Sequence, residues 1–135
     1  MSQIVDTETE RLELPIDGEF TISRGASGTV ETVVVRLEDE DGQRGIGAAA
    51  PSEYYGESIE SVEAVLPDLL DSVLEIGDPA RQQTVERAMR AEAPDEAAAR
   101  AAVSVAVHDL AARQADEPLY RRLGLDPASA PRSSY

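Results

Sequence analysis

The chain has 135 residues, 41% of them apolar, which is enough for one ordinary domain with its own core. Acids outnumber bases 27 to 12 for a net charge of −15, every base is an arginine, and there is no lysine, asparagine or cysteine. Such a surface repels nucleic acid and anionic membranes, and the chain has no disulfide or thiolate chemistry to offer.

No apolar run approaches the ~18 residues of a membrane span. The acidic start MSQIVDTETERLEL lacks a signal-peptide pattern. A cytoplasmic protein is therefore expected. An acidic surface over a good apolar core suits a salt-rich cytoplasm, where self-repulsion is screened. A halophilic source is the expectation; an acidic protein of a GC-rich genome is the alternative.

The first half reads as strands. RLELPI at 11–16 alternates, with Leu12, Leu14 and Ile16 on one face. Asp17-Gly18 is a tight hairpin signal, and the alternation resumes through Phe20 and Ile22. Residues 24–28, RGASG, read as a flexible loop. TVETVVVRLED at 29–39 is the strongest strand, being rich in β-branched residues. A turn at 40–42 returns the chain as QRGIGAAA, which predicts an antiparallel meander of about three strands.

The second half reads as helices. Ser58 is the N-cap expected for the first, with Ile59, Val62, Val65, Leu66, Leu69, Leu70, Val73 and Leu74 at helical spacing. Pro67 is expected to kink or split it, and Gly77 to end it. Asp78-Pro79 predicts the start of a second helix with Val85 and Met89 inward. A third, from about 96 to 115, is apolar nearly all round and should be the buried central helix. Pro118 opens a short last helix closed by Gly124, and DPASAPRSSY reads as a linker.

Few residues offer chemistry. His108-Asp109 are helix neighbours about 100° apart, so they do not face each other, and Asp109 reaches instead for Arg113 at i+4. Ser104, at i−4, can touch His108, but no oxyanion-hole pattern accompanies it. GIGAAA at 45–50 matches a dinucleotide fingerprint, yet Pro51 follows where a helix should begin. Those glycines read as close backbone approach in a strand. EDEDG at 38–42 lacks the ligand pattern of a calcium loop and reads as a solvated turn. A single histidine argues against zinc.

Two loops stand out, FTISRGASG at 20–28 and PSEYYGE at 51–57. They gather Phe20, Tyr54, Tyr55 and Arg24. Aromatics, glycines and an arginine on loops suggest a contact surface; packing on the domain itself is the alternative. For Arg24 the alternative is a salt bridge to a domain acid.

Together these pieces resemble the N-terminal capping domain of the enolase superfamily, in its mandelate-racemase and muconate-lactonizing branch, nearest the dipeptide epimerases of L-Ala-D/L-Glu type. The likeness runs from about Leu12 to Tyr135. It is most specific at Ala106, Val107, His108, Asp109 and Leu110, then Ala112-Arg113, Pro118, Leu119, Tyr120 and Leu123-Gly124. His108 stands where that family has a bulky core aromatic, usually tryptophan. GIGAAAP and YYGES resemble the family's G-x-G-E-A-x-P and Y-G-E-T, with Ala48 replacing a glutamate.

The resemblance implies an α+β fold, a three-stranded antiparallel meander followed by a three- to four-helix bundle. It implies a capping domain over 1–124, with 125–135 a linker and the start of the first strand of a (β/α)8 barrel absent from this chain. It implies proton abstraction next to a carboxylate by barrel lysines. Mg2+ would be held in the full-length enzyme and no cofactor by this chain. ISRG at 22–25 resembles the loop of dipeptide epimerases that carries a substrate-binding arginine, which would be Arg24; Phe20, Tyr54 and Tyr55, from the reading of the two loops as a contact surface, join it as candidate substrate-binding residues for a small acidic substrate such as a dipeptide. No catalytic and no metal-binding residue is assigned here, and the chain alone is expected to be inactive, as a fragment or truncated gene product. Homo-oligomerisation is left open. A muconate cycloisomerase or o-succinylbenzoate synthase is the alternative within the superfamily; a free-standing binding domain is the alternative outside it.

Overall fold

The computed structural model describes residues 2–22 and 25–133; the side chains of 17–27 lie outside the description. Three antiparallel strands, β1 (Ile4–Ile22), β2 (Gly25–Asp39) and β3 (Arg44–Ala49), form one sheet in the order β1-β2-β3. Four helices follow: α1 (Ile59–Ile76), α2 (Gln82–Glu92), α3 (Ala97–Gln114) and α4 (Leu119–Arg122). The architecture is the α+β meander and helix bundle expected.

Alternation decides which face of the sheet is covered. Val33, Val35 and Leu37 of β2 are buried against the helices. Leu12 pairs with Thr32 and Leu14 with Val30, one position out of phase with those valines, so Leu12 and Leu14 lie on the opposite, uncovered face. The core continues through Val62, Leu66, Leu69 and Val73 of α1, Val85 and Met89 of α2, and Ala102, Val103, Ala106, Val107 and Leu110 of α3. α3 buries nine residues and is the central helix its all-round apolar sequence predicts.

Glycine lets α3 lie flush on the sheet. A Cβ on Gly45 would stand 2.6 Å from Leu110 Cβ and 2.7 Å from Leu110 N. One on Gly47 would stand 2.9 Å from both Ala102 C and Ala106 N, with the Ala102 carbonyl oxygen nearer still. Side chains do not fit at such separations, so GIGAAA is a packing seam, as its reading as close backbone approach anticipated.

Five details differ from the sequence reading. β1 begins at Ile4 rather than at 11, because Ile4 is buried and its N–H bonds the Gly77 carbonyl at 2.8 Å. Asp17-Gly18 is not a hairpin turn. Between the pairs Pro15–Thr29 and Phe20–Ser27 β1 advances five residues while β2 advances two, and pairing then resumes to Ile22–Gly25. The ladder keeps finding backbone partners, so the chain bulges rather than reverses. Residues 25–28 accordingly belong to β2 instead of a loop. Pro67 does not split α1, which runs as one helix through it; Glu63, whose carbonyl loses its helical donor there, lies on the solvent face. Asp78-Pro79 forms a turn ahead of α2 rather than its first positions. The Asp78 carboxylate accepts the Ala80 N–H at 2.9 Å and its carbonyl the Arg81 N–H at 3.1 Å.

Ser58 does cap α1, in a reciprocal box with Ser61. Gly77 and Gly124 take the positive φ of +75° and +71° that end α1 and α4.

Candidate functional site

The described parts of the two segments singled out in the sequence, 20–22 with 25–28 and 51–57, lie toward one end of the sheet. β3 pairs with β2 only as far as Ala49–Val33. Beyond that point β1 and β2 continue as a two-stranded ribbon. The Thr32 hydroxyl donates to the Ala49 carbonyl at 2.7 Å where the third strand departs. Phe20 pairs with Ser27, six residues past Val33, which places its register position roughly 20 Å along the ribbon. Arg24 and the Phe20 side chain lie outside the described residues. At the ribbon's inner face Arg11 pairs with Glu31 of β2 and with Glu60 and Glu63 of α1. Its hydrogen bond, with the attraction of its charge, holds the Glu63 carboxyl below the usual carboxylate range.

Where β3 ends, Glu53–Tyr55 form one 3-10 turn, closed by Gly56 at φ +75°. Tyr54 and Tyr55 are 72% and 74% exposed, with rings edge to face and centroids 5.0 Å apart. The Ser52 carbonyl accepts the N–H groups of Tyr55 and Glu57, both at 3.0 Å. Glu57 is buried. One of its oxygens accepts the Ser52 N–H and the other the Ala98 N–H in the first turn of α3, at 3.3 and 2.8 Å. A second link joins the same parts: the Ser61 hydroxyl donates to Glu96 at 3.1 Å. The tyrosine turn, the start of α1 and the start of α3 thus form one knot. By register the turn sits at the ribbon's root and Phe20 far along it, so these candidate residues are not gathered at a single point.

His108 and Asp109 are placed by structure rather than chemistry. His108 is half-buried with Nδ1 2.8 Å from the Ser104 carbonyl, while the Ser104 hydroxyl turns to Glu86. Asp109 meets Arg113 at 3.3 Å, as its spacing predicted. Its Oδ2 also accepts the Ile46 N–H at 2.9 Å, on the edge of β3 that no strand covers. A groove of about 720 Å³ runs beside that edge, at the opposite end of β3 from the tyrosines. Its arginines, Arg44 and Arg113, are paired with Glu38 and Asp109.

Two buried carboxylates escaped the sequence reading. Asp39, in the acidic turn taken as solvated, accepts the N–H groups of Asp41 and Gln43 and the Gln114 amide. Burial opposes its charge, but those donors outweigh burial and hold its carboxyl below the usual range. Glu57 left only its place after a glycine and before a helix cap as a signal.

No group of three or more His, Cys, Asp or Glu among the described residues could hold a metal ion. The side chains described do not fit a Mg2+ site, and none is assigned to one. No described helix is long and apolar enough to cross a membrane.

Residues 4–124 match the mandelate racemase / muconate lactonizing enzyme N-terminal domain. The chain belongs to that family. A curated relative, the L-Ala-D/L-Glu epimerase of Bacteroides thetaiotaomicron, is 30% identical over 91% of this chain and 31% of its own length. The L-Lys-D/L-Arg epimerase of Desulforapulum autotrophicum is 34% identical over 83% of this chain and 32% of its own. The dipeptide epimerase of Cytophaga hutchinsonii, solved with Mg and the dipeptide D-Ala-L-Val, superimposes with a TM-score of 0.89 at 25% identity, covering 98% of this chain and 36% of that one. The chain spans about a third of the length of the curated relatives it matches. In this member of the mandelate racemase / muconate lactonizing family, the seam at Gly45 and Gly47, the Asp109 edge cap and the Glu57 knot are built entirely from the N-terminal domain.

Proposed function

We propose that this N-terminal domain caps a (β/α)8 barrel in a dipeptide epimerase-like enzyme that inverts the carbon next to a carboxylate. The observation that carries the reading is that relatives 30% or more identical over most of this chain are epimerases named for L-Ala-D/L-Glu and L-Lys-D/L-Arg. Residues 1–124 form the cap and 125–135 lead toward the barrel. With no lysine in the chain, the proton-transferring bases of such an enzyme lie in the barrel.

The cap's part is recognition and exclusion of water. Arg24, which directly precedes Gly25 in the chain, offers a planar fork for the side-chain carboxylate of an acidic dipeptide such as Ala-Glu. Phe20, Tyr54 and Tyr55 supply the apolar and aromatic walls. The acid excess suits a salt-rich cytoplasm.

The test is a fusion in which this chain replaces the matching N-terminal segment of the Bacteroides relative. The fusion should exchange solvent deuterium into L-Ala-L-Glu. A soluble, folded fusion that exchanges neither that dipeptide nor basic or neutral ones overturns the reading.

A further inference from the structure

Glu57 is 6% exposed and reaches from the end of the tyrosine turn to the N-terminus of α3. A buried carboxylate is tolerated there because two N–H groups, of Ser52 and Ala98, and the positive end of the helix dipole meet it. Its own N–H donates to the Ser52 carbonyl at 3.0 Å, so residues 52–57 are closed on themselves by one residue and pinned to the most buried helix by the same side chain. The two tyrosine rings are mostly exposed, and the backbone of that turn sets the place from which they are presented.

We propose that Glu57 is a positioning residue, holding the Tyr54–Tyr55 turn in one presentation toward the dipeptide. This rests on the function proposed above. Glu57 touches no substrate; it acts through the backbone at Ser52 and through α3.

Glu57→Gln keeps the shape but replaces one acceptor oxygen with an NH2 that faces an N–H donor. In the 135-residue chain, the Ser52 and Ala98 amides should then exchange about tenfold faster, while those of Val62 and Leu110 keep their rates. In the fusion, KM should rise about fivefold with kcat held within about twofold, and a Tyr54→Ala/Tyr55→Ala variant should raise KM likewise.

Unchanged exchange at Ser52 and Ala98 overturns the proposal. So does uniform acceleration through α1 and α3, which would make Glu57 a general stabiliser. A KM that moves in the tyrosine variant but not in Glu57→Gln overturns it too. If exchange accelerates locally and KM moves in neither variant, the substrate role fails with the reading of the tyrosines, while the clasp itself stands.

Discussion

Adding one methyl group at Gly47 should cost this domain more stability than almost any other single-carbon change. The new Cβ would fall 2.9 Å from Ala102 C and Ala106 N and inside the contact distance of the Ala102 carbonyl oxygen. All three are backbone atoms of α3, so no rotamer change relieves the clash. The helix must retreat by roughly 1 Å, and a radial gap of that size forfeits about a quarter to a half of each dispersion contact it opens. α3 buries nine residues, all apolar, so the loss spreads along the core. Overpacking typically costs about 1–3 kcal/mol and occasionally more. With rigid backbone on both sides, about 3 kcal/mol is expected for Gly47→Ala, a fall in Tm on the order of 10 °C for a domain of this size. Thermal melts by far-UV circular dichroism read it directly. Gly28→Ala is the control: no heavy atom lies within 4 Å of its Cβ, and its Tm should stay within about 2 °C. A Gly47→Ala chain that melts with the parent would refute the seam between β3 and α3.

Asp39→Ala leaves the Asp41 and Gln43 N–H groups without their side-chain acceptor and the Gln114 amide with only the Ser2 carbonyl, so denaturant melts at neutral pH should show a loss of about 2–4 kcal/mol. Because its folded carboxyl sits below the unfolded value, its contribution is present at neutral pH and fades as pH falls through the folded value; the gap between parent and variant should close in acid, below about pH 4. A net charge of −15 should make Tm rise from 0.1 M to 1 M KCl, as the screening length falls from about 10 Å to about 3 Å; a flat or falling Tm would contradict the salt-rich setting. In the fusion enzyme, Arg24→Ala should lower kcat/KM for acidic dipeptides by about tenfold or more and for neutral ones little; equal losses would make the arginine structural.

Local patterning determined much of this protein. The β-branched run at 29–39, the apolar spacing of α1, the Ser58 cap and the all-round apolar α3 follow from side-chain period and backbone preference, and the fold keeps them. The Ala106–Leu110 stretch also carried the family. Other features were settled by neighbours distant in sequence. Asp17-Gly18 can make a tight turn, yet a ladder with backbone partners on both sides of it carries the chain onward through a bulge. A helix alone does not choose a partner for Asp109; the open N–H at Ile46, 63 residues away, does. The sequence does not single out Glu57 and reads Asp39 as part of a solvated turn, because burial of a charge depends on donors that only the folded chain assembles: the start of α3 for one, the turn and Gln114 for the other. Sequence period sets which elements form and which faces are apolar. Where a buried polar atom finds its partner is a property of the tertiary structure, because an uncompensated charge costs too much to be placed before those donors are in position.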